Sequence, residues 1–355
     1  MSDAAAIFAV IEALSPGLAT VTIEAGAAVC DRLGRLADDV HDFLRAAWFE
    51  AAASSHALTT LVARRPEGTP LAAIPLTPRG PKPLGLNEVA GGYWPFRSIP
   101  IAHDCGDDAL KALLASRGLG RIWRWGPVQA DDPALVRISG LAGSAGWRLA
   151  RRRLATTYRL DLKRMTAQGD WPSTKTLRKN RWLERRLAAQ GELEFETIAG
   201  AAWDEGVLDV LAAIESESWV GRDGGDAKFA GPAQRRGWAR AVRDPALAAM
   251  LSCSILRVGG VPAAFTFSVT SGATRFYIAN SYSEAFAAGS PGRILLYRDF
   301  AAAAAAGVEA IGWGAGDPGY KTEMGAEAGP ELLDCLFVRG RLLGFLARPF
   351  WEGRR

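Results

Sequence analysis

The sequence predicts two α/β domains of similar build, each a mixed, mostly antiparallel sheet flanked by helices. Three observations carry that expectation. At 355 residues the chain is long enough for two domains, at roughly 150 residues apiece. Strand-like runs alternate with helical periodicities along its length. One hairpin is repeated in the two halves: Leu58–Arg64, a turn and Pro70–Leu76 resemble Leu251–Arg257, a turn and Pro262–Ser268, and self-similarity at that spacing is the mark of a duplicated unit.

The elements follow in order. Val40, Phe43, Leu44, Ala47 and Trp48 stand at helical spacing and predict an amphipathic helix over 40–53. Strands at 57–64 and 71–77 flank the turn Arg65-Pro66-Glu67-Gly68-Thr69-Pro70. A Pro/Gly-rich stretch from Pro78 to Gly85 leads on to a helix over 107–116, a strand over 121–125, a short helix from Asp132 and a strand over 153–160. Residues 165–175 read as a linker. A basic helix over 176–190 follows, with Leu183 and Leu187 on its apolar side and Gly191 as its stop. Then come a helix over 203–216, strands at 250–257, 262–270 and 275–282, a helix over 292–306, a strand over 308–313 and a last strand near 332–338. The domains predicted are 1–164 and 191–355, joined by a linker and basic helix over 165–190.

Composition excludes several classes. Nearly half the residues are hydrophobic and the net charge is only +4, so a disordered chain is excluded. Cys30, Cys105, Cys253 and Cys335 form no CxxC pair, and His41, His56 and His103 no HxxxH or HExxH. Neither a disulfide framework nor a metal centre is expected. No stretch approaches the roughly 18 apolar residues that cross a bilayer, and Met1-Ser2-Asp3 lacks the basic start of a secretory signal. A cytoplasmic protein is expected.

The small net charge conceals an asymmetry. Thirteen Lys and Arg between Arg148 and Arg186 face only Asp161, Asp170 and Glu184, so this stretch alone carries +10. Such a block is either a solvated face or a site for phosphates, an acidic polymer or an anionic membrane surface. Arg181 and Arg185 are four apart on one predicted helix, where like charges repel unless an anion lies between them. The block belongs to no DNA- or RNA-binding motif, and no DNA partner is expected.

The segment richest in chemistry runs from Phe276 to Met324. Ser290 is a natural N-cap, Pro291 fits the first helical position, Gly292 lets a ligand come close, and Arg293 adds positive charge at a helix start. That combination suits a phosphate or pyrophosphate, or simply starts a helix.

These residues carry a family resemblance. Tyr277 through Tyr282, Ser290-Pro291-Gly292, the alanine-rich helix, Gly307 and Gly314 through Lys321 resemble the C-terminal signature of CelD/FemAB-like proteins of the GNAT acyltransferase superfamily. Leu177-Arg178-Lys179-Asn180-Arg181 through Leu187 and Gly191 resembles that group's basic helix, and Ile214 through Gly221 its "Glu…Ser-Trp-x-Gly" element. The likeness covers roughly 175–325, and the first half matches in layout only. The resemblance implies two tandem GNAT-like domains and transfer of an acyl group from a thioester to an amine. It implies acyl-CoA or acetyl-CoA as co-substrate and no metal. The strand from Phe276 would splay from 308–313, so that Ile278, Ala279 and Asn280 hold the pantetheine and thioester, while Gly289, Ser290, Pro291, Gly292 and Arg293 hold the pyrophosphate. The chain departs from the superfamily's Arg/Gln-x-x-Gly-x-Gly/Ala loop, having Phe286-Ala-Ala-Gly-Ser-Pro-Gly instead. FemAB relatives take aminoacyl-tRNA, which the basic block would suit.

Proton transfer needs a base for the amine and an acid for the leaving thiolate. Asp317, in a Gly-rich loop after a strand, is the first candidate for the base, with Glu284 and Glu217 behind it. Tyr282 or Tyr320 would protonate the sulfur, and Lys321 would hold a phosphate or stabilise charge. Arg178, Lys179, Arg181, Arg185 and Trp219 are candidates for binding substrate or anion. The resemblance implies an amino sugar, a polysaccharide precursor or a long-chain amino lipid as acceptor. Leu342 through Trp351, beside Arg339, Arg341, Arg354 and Arg355, suits either peripheral contact with the inner face of a membrane or a tail packed on its domain. Trp94, Trp123, Trp125 and Trp147 would line an apolar acyl groove or fill a core. A non-catalytic GNAT-like module that binds an anionic polymer or membrane is the remaining alternative.

Overall fold

A computed structural model describes residues 19–53, 57–80, 85–92, 95–169, 171–222, 227–316 and 319–353. The chain forms two compact units, residues 1–157 with 329–355, and residues 158–328.

Unit 1 opens with β1 (Thr20–Ala25), α1 (Cys30–Leu33) and α2 (Ala46–Ala53). It continues through β2 (Thr59–Arg64), β3 (Pro70–Arg79), β4 (Leu86–Val89), α3 (Asp107–Ala115), β5 (Ile122–Gln129) and α4 (Pro133–Ala142). Strand β6 (Trp147–Asp161) leaves unit 1 at Thr157 and enters unit 2 at Tyr158. Unit 2 then holds α5 (Leu162–Gln168), α6 (Thr174–Ala188), β7 (Leu193–Ala199), α7 (Glu205–Glu217), α8 (Trp219–Arg222), α9 (Pro232–Arg243) and α10 (Pro245–Met250). It is completed by β8 (Leu251–Val258), β9 (Val261–Ser271), β10 (Thr274–Tyr282), α11 (Pro291–Ala305), β11 (Ala310–Ala315) and α12 (Tyr320–Glu323). Strand β12 (Glu327–Arg339) and α13 (Arg341–Glu352) return the chain to unit 1.

The two units repeat one plan. In unit 1, β1 to β4 pair as consecutive antiparallel neighbours and β5 joins β4 in parallel. In unit 2, β7 to β10 do the same and β11 joins β10 in parallel. The repeated hairpin is therefore real. Arg64 pairs with Pro70 next to a register shift, and Arg257 pairs with Pro262 next to the same kind of shift. Proline lacks the N–H a regular ladder needs, and a bulge is where a strand tolerates that.

The units divide at 157/158 and 328/329, not at the predicted 164 and 190. Strand β12 explains the difference, because its residues Leu332–Val338 pair antiparallel with Gln129–Ile122 of β5. The predicted linker is largely helical: α5 is capped by Asp161, whose side chain accepts from Arg164 N, and Ser173 caps α6 through Thr176 N. The helix expected over 40–53 is shorter, beginning at Ala46, whose N–H is taken by Asp31 Oδ1. Before it, a 3₁₀ turn over Asp39–His41 places His41 Nε2 2.8 Å from Asp132 Oδ2.

Aromatic residues fill the core of unit 1. Trp123 stacks on Phe337 at 4.1 Å and lies beside Trp125 and Trp147. These three tryptophans are buried in that core, and of the three Trp147 also borders a cleft, beside Arg148 and Leu149; Trp94 lies outside the described residues. In unit 2, Asp299 of α11 is buried and gathers Ser254 of β8, Thr266 of β9, and Arg275 and Tyr277 of β10. One carboxylate thus fixes a helix to three strands.

Burial, with the negative charge of Asp299 adding to it and Arg275 opposing it, pushes the Tyr277 hydroxyl well above its ordinary value. A folded-state pKa above the unfolded one gives stability that is complete below the unfolded pKa, about 10 for tyrosine, and is lost as pH rises beyond it. Tyr277→Phe should therefore flatten the fall in stability above that pH, measured by denaturant unfolding. An unchanged slope would mean that Tyr277 ionises as freely in the fold as in the unfolded chain.

Candidate active site

The parallel ladder between β10 and β11 is short. It pairs Thr274, Arg275 and Phe276 with Ala310, Ile311 and Gly312 and ends there, although β10 continues to Tyr282 and β11 to Ala315. Close packing marks the end of the ladder: a Cβ on Gly312 would stand 2.4 Å from Phe276 Cδ1, so only glycine lets that ring lie against β11. One residue further on, the register of β10 against β9 shifts between Tyr277 and Ala279, leaving Ile278 as a bulge. Bulges of this kind bend a strand and re-aim its groups, and they recur beside active sites.

The bent end of β10 reaches the start of α11. Here the 3₁₀ helix Glu284–Gly289 meets α11 at Ser290, with φ 50° and ψ 53°. Ser290 is the one non-glycine with positive φ among the described residues. It occupies the N-cap position as expected, but its side chain makes no capping bond. Its carbonyl accepts from Arg293 N and Ile294 N. Pro291 has no N–H, and the Gly292 N–H, in the first helical turn, has no backbone acceptor among the described residues. Left-handed geometry costs a serine roughly 1–3 kcal/mol, and such strain gathers at ligand-holding sites. A Cβ on Gly292 would stand 3.2 Å from Tyr282 Cδ1, so that ring borders the helix start.

Helix α6 braces this corner. Asn180, Leu183 and Leu187 form its buried face, and Leu187 packs so closely on Gly289 that a Cβ there would meet it at 2.6 Å. The structure therefore brings Ile278, Ala279, Asn280, Tyr282, Gly289, Ser290, Pro291 and Gly292 into one region of unit 2.

Other expected site residues are turned elsewhere. Arg293 pairs with Glu323 at 3.2 Å, approaches Asn180 Oδ1 at 3.4 Å and lies 5.3 Å from the Tyr297 ring. Its charge, with that of Lys179 3.3 Å from the same carboxylate, holds Glu323 below the usual carboxylate range. Arg293 and Lys179 thus brace α6, α11 and α12 rather than offering two free cations. Lys321 is buried, its Nζ donating to the carbonyls of Trp313 and Ala315 at 2.6 and 3.1 Å and lying 5.6 Å from the Tyr158 ring. Those carbonyls belong to the part of β11 beyond its ladder with β10, so Lys321 is a strut for that segment. Tyr320 packs edge-on against Trp313.

Glu217 is exposed at the end of α7. The buried glutamate is Glu215, whose carboxylate accepts from the backbone N–H of Lys228, Phe229 and Ala230 at 2.7–2.9 Å. Trp219 is 56% exposed on α8, and Arg222 of that helix pairs with Glu284 at 3.2 Å. Arg178, Arg181 and Arg185 lie along one exposed stripe of α6, with no carboxylate partner among the described residues. Asp317 lies outside the described residues.

Reasoning from sequence missed Asn180, Asp299 and Glu323. Asn180 left a usable signal, since its spacing to Leu183 and Leu187 puts it on the buried face of α6. The partners of Asp299 are scattered over three strands and left none.

Residues 174–322 match the acetyltransferase (GNAT) domain family. No curated protein matches the chain. Among solved structures, FemX is similar at a TM-score of 0.62 and 12% identity, over 90% of this chain and 97% of that one. The L-PGS of Bacillus licheniformis is similar at 0.55 and 14%, over 93% and 99%. A tandem GNAT protein from the clavulanic acid biosynthesis pathway is similar at 0.50 and 14%, over 90% and 99%. At such identities the likeness is one of fold. It agrees with two GNAT-like units in tandem.

Lys321→Met removes a donor from two carbonyls, each worth about 1–3 kcal/mol if left buried and unsatisfied. Its melting temperature should fall, and exchange of the β11 amides should rise more than that of β7. A variant as stable as the parent would show that Lys321 is no strut.

Proposed function

We propose, from the acetyltransferase (GNAT) domain over residues 174–322, that this chain is an N-acyltransferase with an acyl-CoA donor seated against β10. The observation that carries the reading is the end of the β10–β11 ladder at Phe276 and Gly312. Beyond it, backbone groups on the bent end of β10 are outside that pairing and are suited to the amides and carbonyl of a pantetheine thioester. An N–H there stabilises negative charge developing on the thioester oxygen, an effect typically worth about 3–4 kcal/mol. The Gly292 amide at the start of α11 suits a phosphate. The engagement of Arg293 with Glu323 leaves that contact to backbone groups.

The chemistry then needs a base and an acid. The attacking amine gives its proton to a carboxylate, for which Asp317 is the proposed group, as the new C–N bond forms and the C–S bond breaks. The thiolate, with an ordinary pKa near 8.5, leaves as an anion or takes a proton, and Tyr282 beside Gly292 is the proposed donor. The acceptor proposed is an amino sugar, a polysaccharide precursor or a long-chain amino lipid.

One observation favours a second donor. Arg178, Arg181 and Arg185 line one exposed face of α6, and Trp182 is 51% exposed with the Arg186 guanidinium 5.5 Å from its ring. Cations beside an aromatic suit a polyanion. An aminoacyl-tRNA would meet them where coenzyme A would not.

Calorimetric titration with coenzyme A, acetyl-CoA and palmitoyl-CoA separates the two donors. Binding of any of them should weaken at least about tenfold in Gly292→Val, whose side chain crowds Tyr282 and the helix start. Asp317→Asn should keep the binding and lower kcat by about 10²–10⁴. No binding to any of the three would overturn the coenzyme A reading and favour aminoacyl-tRNA, for which R178Q/R181Q/R185Q should reduce the salt dependence of binding. An anionic polymer bound without turnover by parent and Asp317→Asn alike would overturn the enzyme itself.

A further inference from the structure

Helix α13 has two apolar faces and only one is covered. Gly344, Ala347 and Trp351 lie three and four residues apart on the inner side. Ala347 and Trp351 pack on Ala150, Leu336 and Val338, while Gly344 meets Arg148 so closely that a Cβ there would stand 2.5 Å from Arg148 Cβ. Trp351 donates to Asp334 O at 2.9 Å, with the Arg152 guanidinium 4.6 Å from its ring. The opposite side presents Leu342, Phe345, Leu346 and Phe350, with both phenylalanines at least 75% exposed. An exposed apolar face on a firmly anchored helix calls for a partner.

The charges beside it indicate which partner. Arg148 is exposed on β6 with its side chain against Gly344 of α13 and no carboxylate partner among the described residues. Arg348 stands on the flank of the helix, bound among the described residues only to Glu352 four residues on, an exposed pair of small worth. Arg148 and Arg348 also border an open cleft of about 730 Å³ whose walls include Trp147, Leu149, Leu342 and Phe345. Apolar walls with two guanidinium groups suit a chain of methylenes ending in an anionic headgroup. A second copy of the chain would set these arginines against themselves, with no acid on the face beyond the engaged Glu352.

We infer that α13, with Arg148 and Arg348, is a docking surface for a bilayer containing anionic phospholipid. The helix lies in the interfacial plane, since its 12 residues fall well short of the roughly 20 that span a bilayer. Phe345 and Phe350 enter the acyl region while the arginines take the phosphates. The surface lies wholly in unit 1, so its failure and that of the donor reading are separate events.

The test is co-sedimentation of the full chain with vesicles of phosphatidylcholine alone or mixed with phosphatidylglycerol. The parent should favour the mixed vesicles by at least about tenfold, a preference that salt weakens. F345E/F350E should lose at least about tenfold of that binding with an unchanged melting temperature, because both side chains are already in water. R148Q should lose severalfold. Equal binding by parent and F345E/F350E would overturn the inference, as would a parent that ignores both vesicles. A dimer that F345E/F350E dissolves, without vesicle binding, would assign the face to a second copy and overturn it too.

Discussion

Two parallel strands that stop pairing after three residue pairs leave backbone groups that something else must satisfy or use. In unit 2 that point is Phe276 and Gly312, and the surrounding residues hold the parting open. The Phe276 ring lies on Gly312, Ile278 bulges out of the ladder with β9, and Lys321 takes two carbonyls of the part of β11 left over. Asp299 ties α11 to β8, β9 and β10, so the helix start is fixed relative to the bent strand. The Ser290 backbone, the Gly292 amide and the Tyr282 ring owe their shared location to that arrangement.

Unit 1 repeats the parting and fills it differently. Its ladder pairs Leu86, Asn87 and Glu88 with Ile122, Trp123 and Arg124. Around that end, Arg79, Arg97 and Arg124 surround Glu88, while Arg124 and Arg152 hold Asp334 of β12. Burial and the neighbouring arginines bring Arg97 down to about 9. Breaking one member of such a cluster strands a buried charge, which is why these residues act together. The same topology thus carries a charged core in one unit and a bent strand beside a helix start in the other.

Much of this was legible in the sequence, and the limits are physical. The hairpins and most helices follow from periodicity and turn chemistry, which are local, whereas the parting of the strands is implied by the family resemblance alone. The edge strands β1 and β7 and helix α9 carried weaker patterns. The unit boundary was misplaced because β12 returns to pair with β5, a contact of long sequence separation. Ser290 and Gly292 read as a helix start and are found there, while the nearness of Tyr282 to Gly292 is a tertiary contact. Arg293 and Lys321 were given ligand roles because their residue type suits anions, yet their partners, Glu323 and two β11 carbonyls, are set by tertiary packing. The bulge at Ile278 has no glycine to announce it.

Hydrogen–deuterium exchange of the full chain, with and without the acyl-CoA that binds it best, tests the location of the donor most directly. A donor held at the parted strands predicts protection of amides in 277–282 and 290–294, with β4 and β5 unchanged. Protection centred on β4 and β5, or none in 277–294 at saturating ligand, would contradict it.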